Sequence, residues 1–308
     1  MKSAAGAALA AVLLWATNAF AATLALAHFT VLQLLAVQYG SAAVSVALWH
    51  FGSRARRCHG TPPQRLGGGL NKHAVAIGVL GLTGTIFLQY WAFDIAPIVG
   101  ANVIAYGWPL MAALWVAVTV RTRQAVVGVP LAAVGFLGVI IIFLGHESAL
   151  EGSEIGYLIA LGSAAAMAFY TVSAGRITAS VADLLLPATT VGAILATLGS
   201  LFQGIPMPPV GQWWSAIYIG LGPMAAGYGL WTYAMAERRA DRLSPLGYLT
   251  PLLSTMLLLV TGQPFTTPTL IGAALILVCS AGVLTNERIA QKTPTHPSSQ
   301  TAASSERH

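Results

Sequence analysis

The sequence predicts an all-α integral membrane protein in which ten transmembrane helices form two inverted five-helix repeats around a central cavity. Three observations predict this fold: a strongly apolar composition, basic residues confined to one side of ten apolar runs, and a proline motif that occurs twice. Of the 308 residues, 56% are hydrophobic and 8% are charged. Because soluble domains usually carry about 25% charged residues, we expect this chain to lie in a lipid bilayer.

Ten apolar runs have the length of about 20 residues that crosses a bilayer as a helix. They are roughly 4–26, 31–51, 74–93, 98–118, 126–144, 155–173, 184–203, 213–235, 243–262 and 268–285. The first run is also typical of a signal peptide, since Lys2 precedes it and the small-residue triplet "AFA" stands at 19–21. The run continues through Leu26, however, and we therefore interpret it as a span.

The basic residues predict the orientation, because loops on the cytoplasmic side are enriched in Lys and Arg. All 15 Lys and Arg fall on one side of the ten runs. They are Lys2; Arg54, Arg56, Arg57, Arg65 and Lys72; Arg121 and Arg123; Arg176; Arg238, Arg239 and Arg242; and Arg288, Lys292 and Arg307. Both termini are therefore predicted to be cytoplasmic. Charges spread between apolar runs also argue against a nucleic-acid partner.

The chain is predicted to divide into two halves of five spans each. Residues 1–145 form the first repeat, which includes a cytoplasmic linker at 52–73, and residues 155–285 form the second. The tail at 286–308 is rich in Ser, Thr and Pro and is predicted to be disordered. Cys58 and Cys279 form neither a disulfide framework nor a pair with metal-ligand spacing, and no cofactor is expected.

The internal repeat is clearest in two stretches that share Tyr, two residues, then Pro and Leu. They read "IAYGWPLMA" at 104–112 and "LGYLTPLLS" at 246–254, so an offset of 142 residues carries Tyr106 onto Tyr248 and Pro109 onto Pro251. Upstream, "YWAFDIA" at 90–96 resembles "LWTYAMA" at 230–236. Spans three and four thus correspond to spans eight and nine.

Two halves with an odd number of spans each must enter the membrane from opposite sides. Inverted repeats are typical of secondary transporters, which bind substrate near the midplane at the repeat interface. Segments interrupted by Pro or Gly at matching positions point to that site. Pro109 and Pro251 are therefore predicted to be hinges beside a cavity, whereas close helix packing alone explains most of the glycines in spans three and eight.

Nearly the whole chain resembles the drug/metabolite transporter superfamily, in particular its ten-span EamA-type members. The resemblance runs from "AAVLLWATNAF" at 10–20 to "TGQPFTTPTLIGAALILVCSAGVL" at 261–284, although Gln263 replaces a Glu that many members have in this ending. It implies a basket-like transporter with pseudo-twofold halves that exports small molecules across the bacterial inner membrane.

The charge inventory narrows the expected substrate, since no Lys, Arg, Asp, Glu or His lies in the middle of a predicted span. A sugar-phosphate carrier would need a cation and a proton-coupled exporter of cationic drugs would need a carboxylate. A neutral or zwitterionic solute remains. Among such solutes the resemblance implies aromatic amino acids, whose rings can stack on Trp and Tyr. The candidate binding residues are Trp15, Asn18, Gln89, Tyr90, Trp91, Asn102, Tyr106, Trp108, Tyr170, Tyr228, Trp231, Ser244 and Tyr248.

Other interpretations stay open within the transporter class: another neutral metabolite, a nonaromatic amino acid or a drug, with or without proton coupling. An integral membrane enzyme is disfavoured, because we find no G-x-S-x-G, no H-E-x-x-H and no acid pair within a span. Transport is expected to proceed as facilitated diffusion or exchange. The expected partners are a small-molecule substrate and the bilayer, and the sequence leaves the oligomeric state open, a monomer included.

Overall fold

The computed structural model describes residues 2–57, 71–96, 98–144, 154–177, 179–236, 240–260 and 267–292. Across these ranges the chain forms helices and no strand, which confirms the predicted all-helical class. Residues 58–70 of the predicted linker and 293–308 of the predicted tail lie outside the described residues. The last helix extends past the predicted span end at 285 and reaches Lys292.

The first half contains eight α-helices among its described residues. They are α1 (Lys2–Ala16), α2 (Asn18–Leu26), α3 (Val31–Arg57), α4 (Lys72–Ala76), α5 (Gly84–Ile95), α6 (Ile98–Ala105), α7 (Trp108–Val120) and α8 (Arg123–Leu144). A π-helical segment, Ile77–Thr83, joins α4 to α5, so span three is one continuous helical rod of changing pitch.

The described part of the second half contains six α-helices and three segments of other pitch. The α-helices are α9 (Glu154–Ala174), α10 (Val181–Gln203), α11 (Trp214–Ile219), α12 (Tyr228–Ala236), α13 (Leu249–Val260) and α14 (Thr267–Lys292). A π-helical segment, Gly220–Gly227, joins α11 to α12. A 3₁₀ segment, Ala240–Tyr248, leads directly into α13, and a short 3₁₀ turn covers Val210–Gln212.

Seven helical segments of the described chain are long and apolar enough to cross a membrane, and they correspond to predicted spans one to seven. They are Ala4–Leu26, Val31–Gly52, Lys72–Ile95, Ala101–Val120, Ala125–Ile142, Glu154–Ala174 and Val181–Gln203. Predicted span ten contains a shorter apolar helix, Leu270–Asn286. Spans eight and nine change pitch along their length, and the ten-span arrangement stays a prediction.

Both proline motifs lie where a helix restarts rather than inside a continuous helix. The chain turns at Tyr106 and Gly107, where the Gly107 N–H donates to the Ile104 carbonyl at 2.9 Å, and Pro109 is the second residue of α7. Pro251 is the third residue of α13. Proline is tolerated in the first turn because its missing N–H would have no partner there. The turn at Tyr106 and Gly107 therefore separates Asn102 in α6 from Pro109 in α7.

The two π-helical segments occupy matching positions in spans three and eight. The offset of 142 residues carries Ile77–Thr83 onto positions 219–225, which overlap Gly220–Gly227. π-Helical turns are rare and occur often at functional sites. The matching positions of the two segments support the internal repeat. This support is independent of the Tyr and Pro motif, which lies outside both segments.

The packing of the helices follows the same correspondence. Span three packs on span six through α5 and α9, and span eight packs on span one through α12 and α1. Likewise, span four packs on span six through α7 and α9, and span nine packs on span one through α13 and α1. The pairs α3 with α10 and α8 with α14 each join equivalent spans. Spans one, three, four, six, eight and nine therefore surround the centre of the molecule.

Candidate functional site

A cavity of about 120 Å³ lies among the helices that surround the centre. One water needs roughly 10 to 15 Å³ of such space, so the cavity is large enough for a group of waters or a small organic molecule. Its walls come from both halves of the chain. The lining residues are Trp15, Asn18, Gln38, Thr85, Ile86, Gln89, Tyr90, Ala105, Tyr106, Trp108, Ser163, Met167, Pro223, Met224, Tyr228 and Thr250.

The residues that line the cavity lie at different distances from the Lys and Arg loops along the different predicted spans. In spans two and three it is lined by Gln38, Gln89 and Tyr90, which lie in the halves farther from those loops. In spans six, eight and nine, the lining residues Met167, Tyr228 and Thr250 lie in the halves nearer to those loops. The site is thus asymmetric across the bundle.

A cluster of aromatic rings lies beside the cavity and contributes to its wall. The Trp231 ring lies 5.2 Å from Trp15 and 5.6 Å from Trp108 between centroids, with the latter pair T-shaped. The Tyr228 ring lies 4.9 Å from Trp15 and 6.1 Å from Tyr170. Tilted and edge-on contacts at these distances are favourable because ring edges are positive and ring faces negative. We call Trp15, Trp108, Tyr170, Tyr228 and Trp231 the aromatic floor.

Hydrogen bonds fix the two fully buried members of the floor. Tyr170 and Trp231 are each 0% exposed. The Trp231 indole donates to the Thr171 hydroxyl at 3.2 Å, and the Tyr170 and Thr232 hydroxyls lie 2.5 Å apart. Buried Trp and Tyr need such partners for their polar atoms. The bonds tie α9 to α12 and hold the floor in one arrangement.

The π-helical segment of span eight supplies a carbonyl that anchors Trp15. A π-turn disturbs the regular helical ladder, and the Pro223 carbonyl accepts a hydrogen bond from the Trp15 indole at 3.0 Å. Gly227 makes this approach possible, because a Cβ there would lie 2.9 Å from the Trp15 indole nitrogen. Span one is thereby attached to the irregular part of span eight.

The π-helical segment of span three makes a comparable contact with span seven. The Thr83 hydroxyl donates to the Ala188 carbonyl at 2.8 Å. A side chain on Gly78 would collide with the Leu184 carbonyl, so the two helices approach closely here. Each π-helical segment is thus joined to a neighbouring helix by one side-chain hydrogen bond: span eight to span one, and span three to span seven.

Nine of the 13 candidate binding residues meet at the cavity or its floor. Seven line the cavity, and Tyr170 and Trp231 complete the floor. The seven are Trp15, Asn18, Gln89, Tyr90, Tyr106, Trp108 and Tyr228. Nine of the candidates thus share one location, and their role in substrate binding stays a prediction.

The other four candidates lie elsewhere. Trp91 is 57% exposed on the outside of the helix bundle, although the sequence aligns it with the buried Trp231. Asn102 is half-buried, and Ser244 and Tyr248 are fully buried; none of the three lines the cavity. The Tyr248 ring packs on Phe136 at 6.4 Å and against Gly135, between α8 and α14.

The change of pitch explains why the two tyrosines of the motif differ. Tyr106 follows an α-helix and lines the cavity, whereas Tyr248 ends a 3₁₀ segment. A 3₁₀ helix has 3.0 residues per turn instead of 3.6, so side chains at equal sequence spacing point in different directions. The sequence repeat carries no signal of this difference.

Several polar lining residues were not among the sequence candidates, notably Gln38, Thr85, Ser163 and Thr250. Thr85 and Ser163 are satisfied by protein, since Thr85 donates to the Gly81 carbonyl and Ser163 to the Thr85 carbonyl. Gln38 could have been selected as an uncharged polar residue inside an apolar span. None of the described lining residues is Lys, Arg, Asp, Glu or His.

The helical fold and the uncharged central cavity can be compared with known protein families. Residues 154–285 match the EamA-like transporter family. The match covers less than half of the chain and supports the resemblance to the drug/metabolite transporter superfamily. Together with the seven long apolar helices, the match supports a multi-pass membrane protein of a transporter class.

A particular relative is the aromatic amino acid exporter YddG of Ancylobacter novellus. It is 29% identical to this chain over 213 residues, which cover 68% of this chain and 74% of the relative. A crystal structure with 24% sequence identity superposes with a TM-score of 0.79 and covers 94% of this chain and 99% of its own. At that identity the superposition shows the fold alone.

Proposed function

We propose that the protein exports aromatic amino acids across the bacterial inner membrane by alternating access. It acts as a facilitator or exchanger, and both of its termini are cytoplasmic. The proposal extends the transporter class to a substrate, a direction and a mechanism. Similarity to an aromatic amino acid exporter supports the substrate class.

The observation that carries the proposal is the chemical character of the cavity. Aromatic rings form its floor, and amide and hydroxyl groups form its walls, with no charged side chain among the described lining residues. Each aromatic contact contributes about 0.5 to 1.5 kcal/mol. A few such contacts give the millimolar affinity, about 4 kcal/mol, that lets a carrier release its cargo.

The position of the cavity supports alternating access. Tyr170 and Trp231 of the aromatic floor lie nearer to the Lys and Arg loops, along their own spans, than the lining residues Met167 and Tyr228 do. Since basic loops are cytoplasmic in membrane proteins, we propose that the aromatic floor closes the cytoplasmic side of the cavity in this conformation. The restarted helices at Pro109 and Pro251 are the proposed pivots of the opposite opening.

The absence of a charged group along the described cavity wall argues for transport without a coupled proton. Proton-driven carriers usually hold a titratable acid or base within the membrane. With no such group lining the site, net flow follows the gradient of the substrate itself. Exchange of one amino acid for another is the corresponding mode when both sides are loaded.

Counterflow in proteoliposomes tests the substrate class. Vesicles loaded with unlabelled Trp, Phe, Thr or a nucleotide-sugar would receive labelled compound at equal pH on both sides. We expect accumulation of label for Trp and Phe, weaker accumulation for Thr and none for the nucleotide-sugar. Preferential exchange of Thr, or exchange of the nucleotide-sugar, would contradict the proposal.

A further inference from the structure

The end of α7 holds two arginine side chains at adjoining positions on the basic side of the bundle. The Arg176 guanidinium, from the chain just after α9, donates through Nη2 to the Thr119 hydroxyl at 2.6 Å. The Arg121 guanidinium donates through Nε to the Val118 carbonyl at 3.1 Å. Val118 and Thr119 are consecutive residues, so both cations are attached to one turn of the same helix.

A small hydrophobic cluster fixes the helix ends that carry these arginines. It joins α7, the first turn of α8 and the second half of α9, and its buried members are Ala112, Val116, Ala125, Ala168 and Val172. Since α7 ends at Val120 and α9 ends at Ala174, each arginine follows a packed helix end within two residues. The backbone around the two cations is therefore held in place by packing.

Arg121 occupies a backbone position that usually belongs to glycine. It caps the C-terminus of α7 in the left-handed conformation, at φ 51°. Among the described residues other than glycine, it alone has a positive φ. The cap of α10 in the same conformation is Gly204, at φ 65°. Because glycine adopts this conformation without the steric cost of a side chain, the stability of the helix end alone does not explain an arginine here.

The outer face of α7 beside the two cations is apolar. Leu114, Trp115 and Val118 are all exposed on the outside of the bundle. The Trp115 ring stacks on Phe169 with centroids 6.2 Å apart, and the Arg176 guanidinium carbon lies 6.0 Å from the Trp115 centroid. A guanidinium over an indole ring is attracted by the negative ring face. Arg176 thus lies at the boundary between an exposed apolar face and a pair of cations.

Most of the hydrogen-bond donors at this boundary are unused. A guanidinium carries five N–H donors. Within the described ranges, Thr119 is the acceptor for the Arg176 side chain and Val118 is the acceptor for that of Arg121, and neither side chain meets a carboxylate. The Thr119 hydroxyl proton is also used, because it donates to the Trp115 carbonyl at 2.8 Å. The surface therefore offers positive charge and free N–H groups to an anion with several oxygens.

We propose that this surface binds the phosphate of an anionic phospholipid, whose acyl chain lies along Leu114, Trp115 and Val118. Arginine forks match the geometry of phosphate oxygens and can donate to two of them at once. A lipid fits better than free phosphate, because the cations adjoin an exposed apolar face at the end of a membrane span, where lipid head groups lie. The inference goes beyond the proposed function, since it requires neither a particular substrate nor a direction of transport.

Native mass spectrometry of the full chain in detergent tests the occupant. The protein is titrated with dioleoyl phosphatidylglycerol, with dioleoyl phosphatidylcholine, which has the same acyl chains and no net charge, and with inorganic phosphate. We expect tight binding of the phosphatidylglycerol, much weaker binding of the phosphatidylcholine and the weakest binding of inorganic phosphate. Equal affinity for the two lipids, or for phosphatidylglycerol and inorganic phosphate, would overturn the assignment.

Two variants that each remove one cation test the site. Arg176→Gln and Arg121→Gly should each weaken phosphatidylglycerol binding by about tenfold, the effect of one hydrogen bond to a charged group. Phosphatidylcholine binding should not change. Arg176→Lys keeps the charge without the fork and should recover part of the loss. Arg121→Gly should not lower the melting temperature without lipid, because glycine suits the left-handed conformation, so its loss of binding would not arise from unfolding.

Lys72→Gln is the matched control. Lys72 is an exposed cation on the same side of the bundle, at the first residue of α4, and it has no aromatic neighbour among the described residues. Its replacement removes the same charge and should leave phosphatidylglycerol affinity nearly unchanged. Unchanged binding in either Arg176→Gln or Arg121→Gly, or an equal loss in Lys72→Gln, would overturn the site.

Discussion

Trp15 and Gly227 show how a single residue can determine a helix contact in this cavity. The Trp15 indole reaches the Pro223 carbonyl only because position 227 has no side chain, since an added Cβ would lie 2.9 Å from the indole nitrogen. Alanine at this position would displace the Trp15 ring, which contacts Tyr228 and Trp231 in the aromatic floor. The glycine is therefore expected to matter for the shape of the site.

Gly227→Ala is predicted to reduce both stability and Trp exchange. Glycine to alanine in a helix normally stabilises by about 0.5 to 1 kcal/mol, but here the collision with Trp15 outweighs that gain. Gly6→Ala is the matched control, because a Cβ at Gly6 would meet nothing within 4 Å. Thermal unfolding in detergent and exchange in proteoliposomes measure the two effects. An equal or higher melting temperature for Gly227→Ala than for Gly6→Ala would argue against this role.

Tyr106 and Tyr248 occupy matching sequence positions and different environments. Tyr106 lines the cavity, whereas Tyr248 is fully buried between α8 and α14. The structure in this conformation therefore separates a candidate substrate contact from a residue that packs two helices together.

Alanine substitutions should separate these roles. We expect Tyr248→Ala to lower the free energy of unfolding by about 3 to 5 kcal/mol, as for other buried aromatic residues. Tyr106→Ala should cost less stability and should raise the Trp concentration needed for half-maximal exchange. Chemical or thermal unfolding and exchange kinetics provide the measurements. A large loss of Trp affinity in folded Tyr248→Ala, with none in Tyr106→Ala, would reverse the assignment.

At the scale of the helices, the sequence predicted which spans are interrupted. It did not predict the change from α to π or 3₁₀ pitch at those places. The repeated prolines located the restarts in spans four and nine, and glycine-rich stretches coincide with the π-helical segments Ile77–Thr83 and Gly220–Gly227. A change from α to π or 3₁₀ pitch depends on contacts with neighbouring helices, such as the bond from Trp15 to Pro223. Those contacts join residues 208 positions apart and leave no local sequence signal.

The helix restarts lead to a prediction about the prolines. Pro109→Ala and Pro251→Ala should change stability little, because each proline lies in a first turn where its missing N–H is tolerated. Alanine would remove the constraint that favours a restart, and we expect slower exchange with nearly unchanged Trp affinity. Initial exchange rates at several Trp concentrations separate the two parameters. Wild-type rates in both variants would exclude a hinge role.

For the whole molecule, hydropathy and the distribution of basic residues were sufficient to predict an all-helical membrane protein with seven of the expected spans found as long apolar helices. The uncharged character of the cavity also followed from the sequence, because charged residues are absent from the middle of every predicted span. The wall residues Gln38 and Thr250 could not be derived in this way. Their place in the wall depends on the packing of several helices, which no local sequence pattern defines.

The central claim is that an uncharged aromatic cavity carries aromatic amino acids down their own gradient. The most direct measurement is the flux of labelled Trp into proteoliposomes under three conditions: a Trp gradient alone, a pH step alone in either direction, and both together. The account predicts flux that follows the Trp gradient and is unchanged by the pH step. Concentrative accumulation of Trp driven by a pH step alone would contradict it.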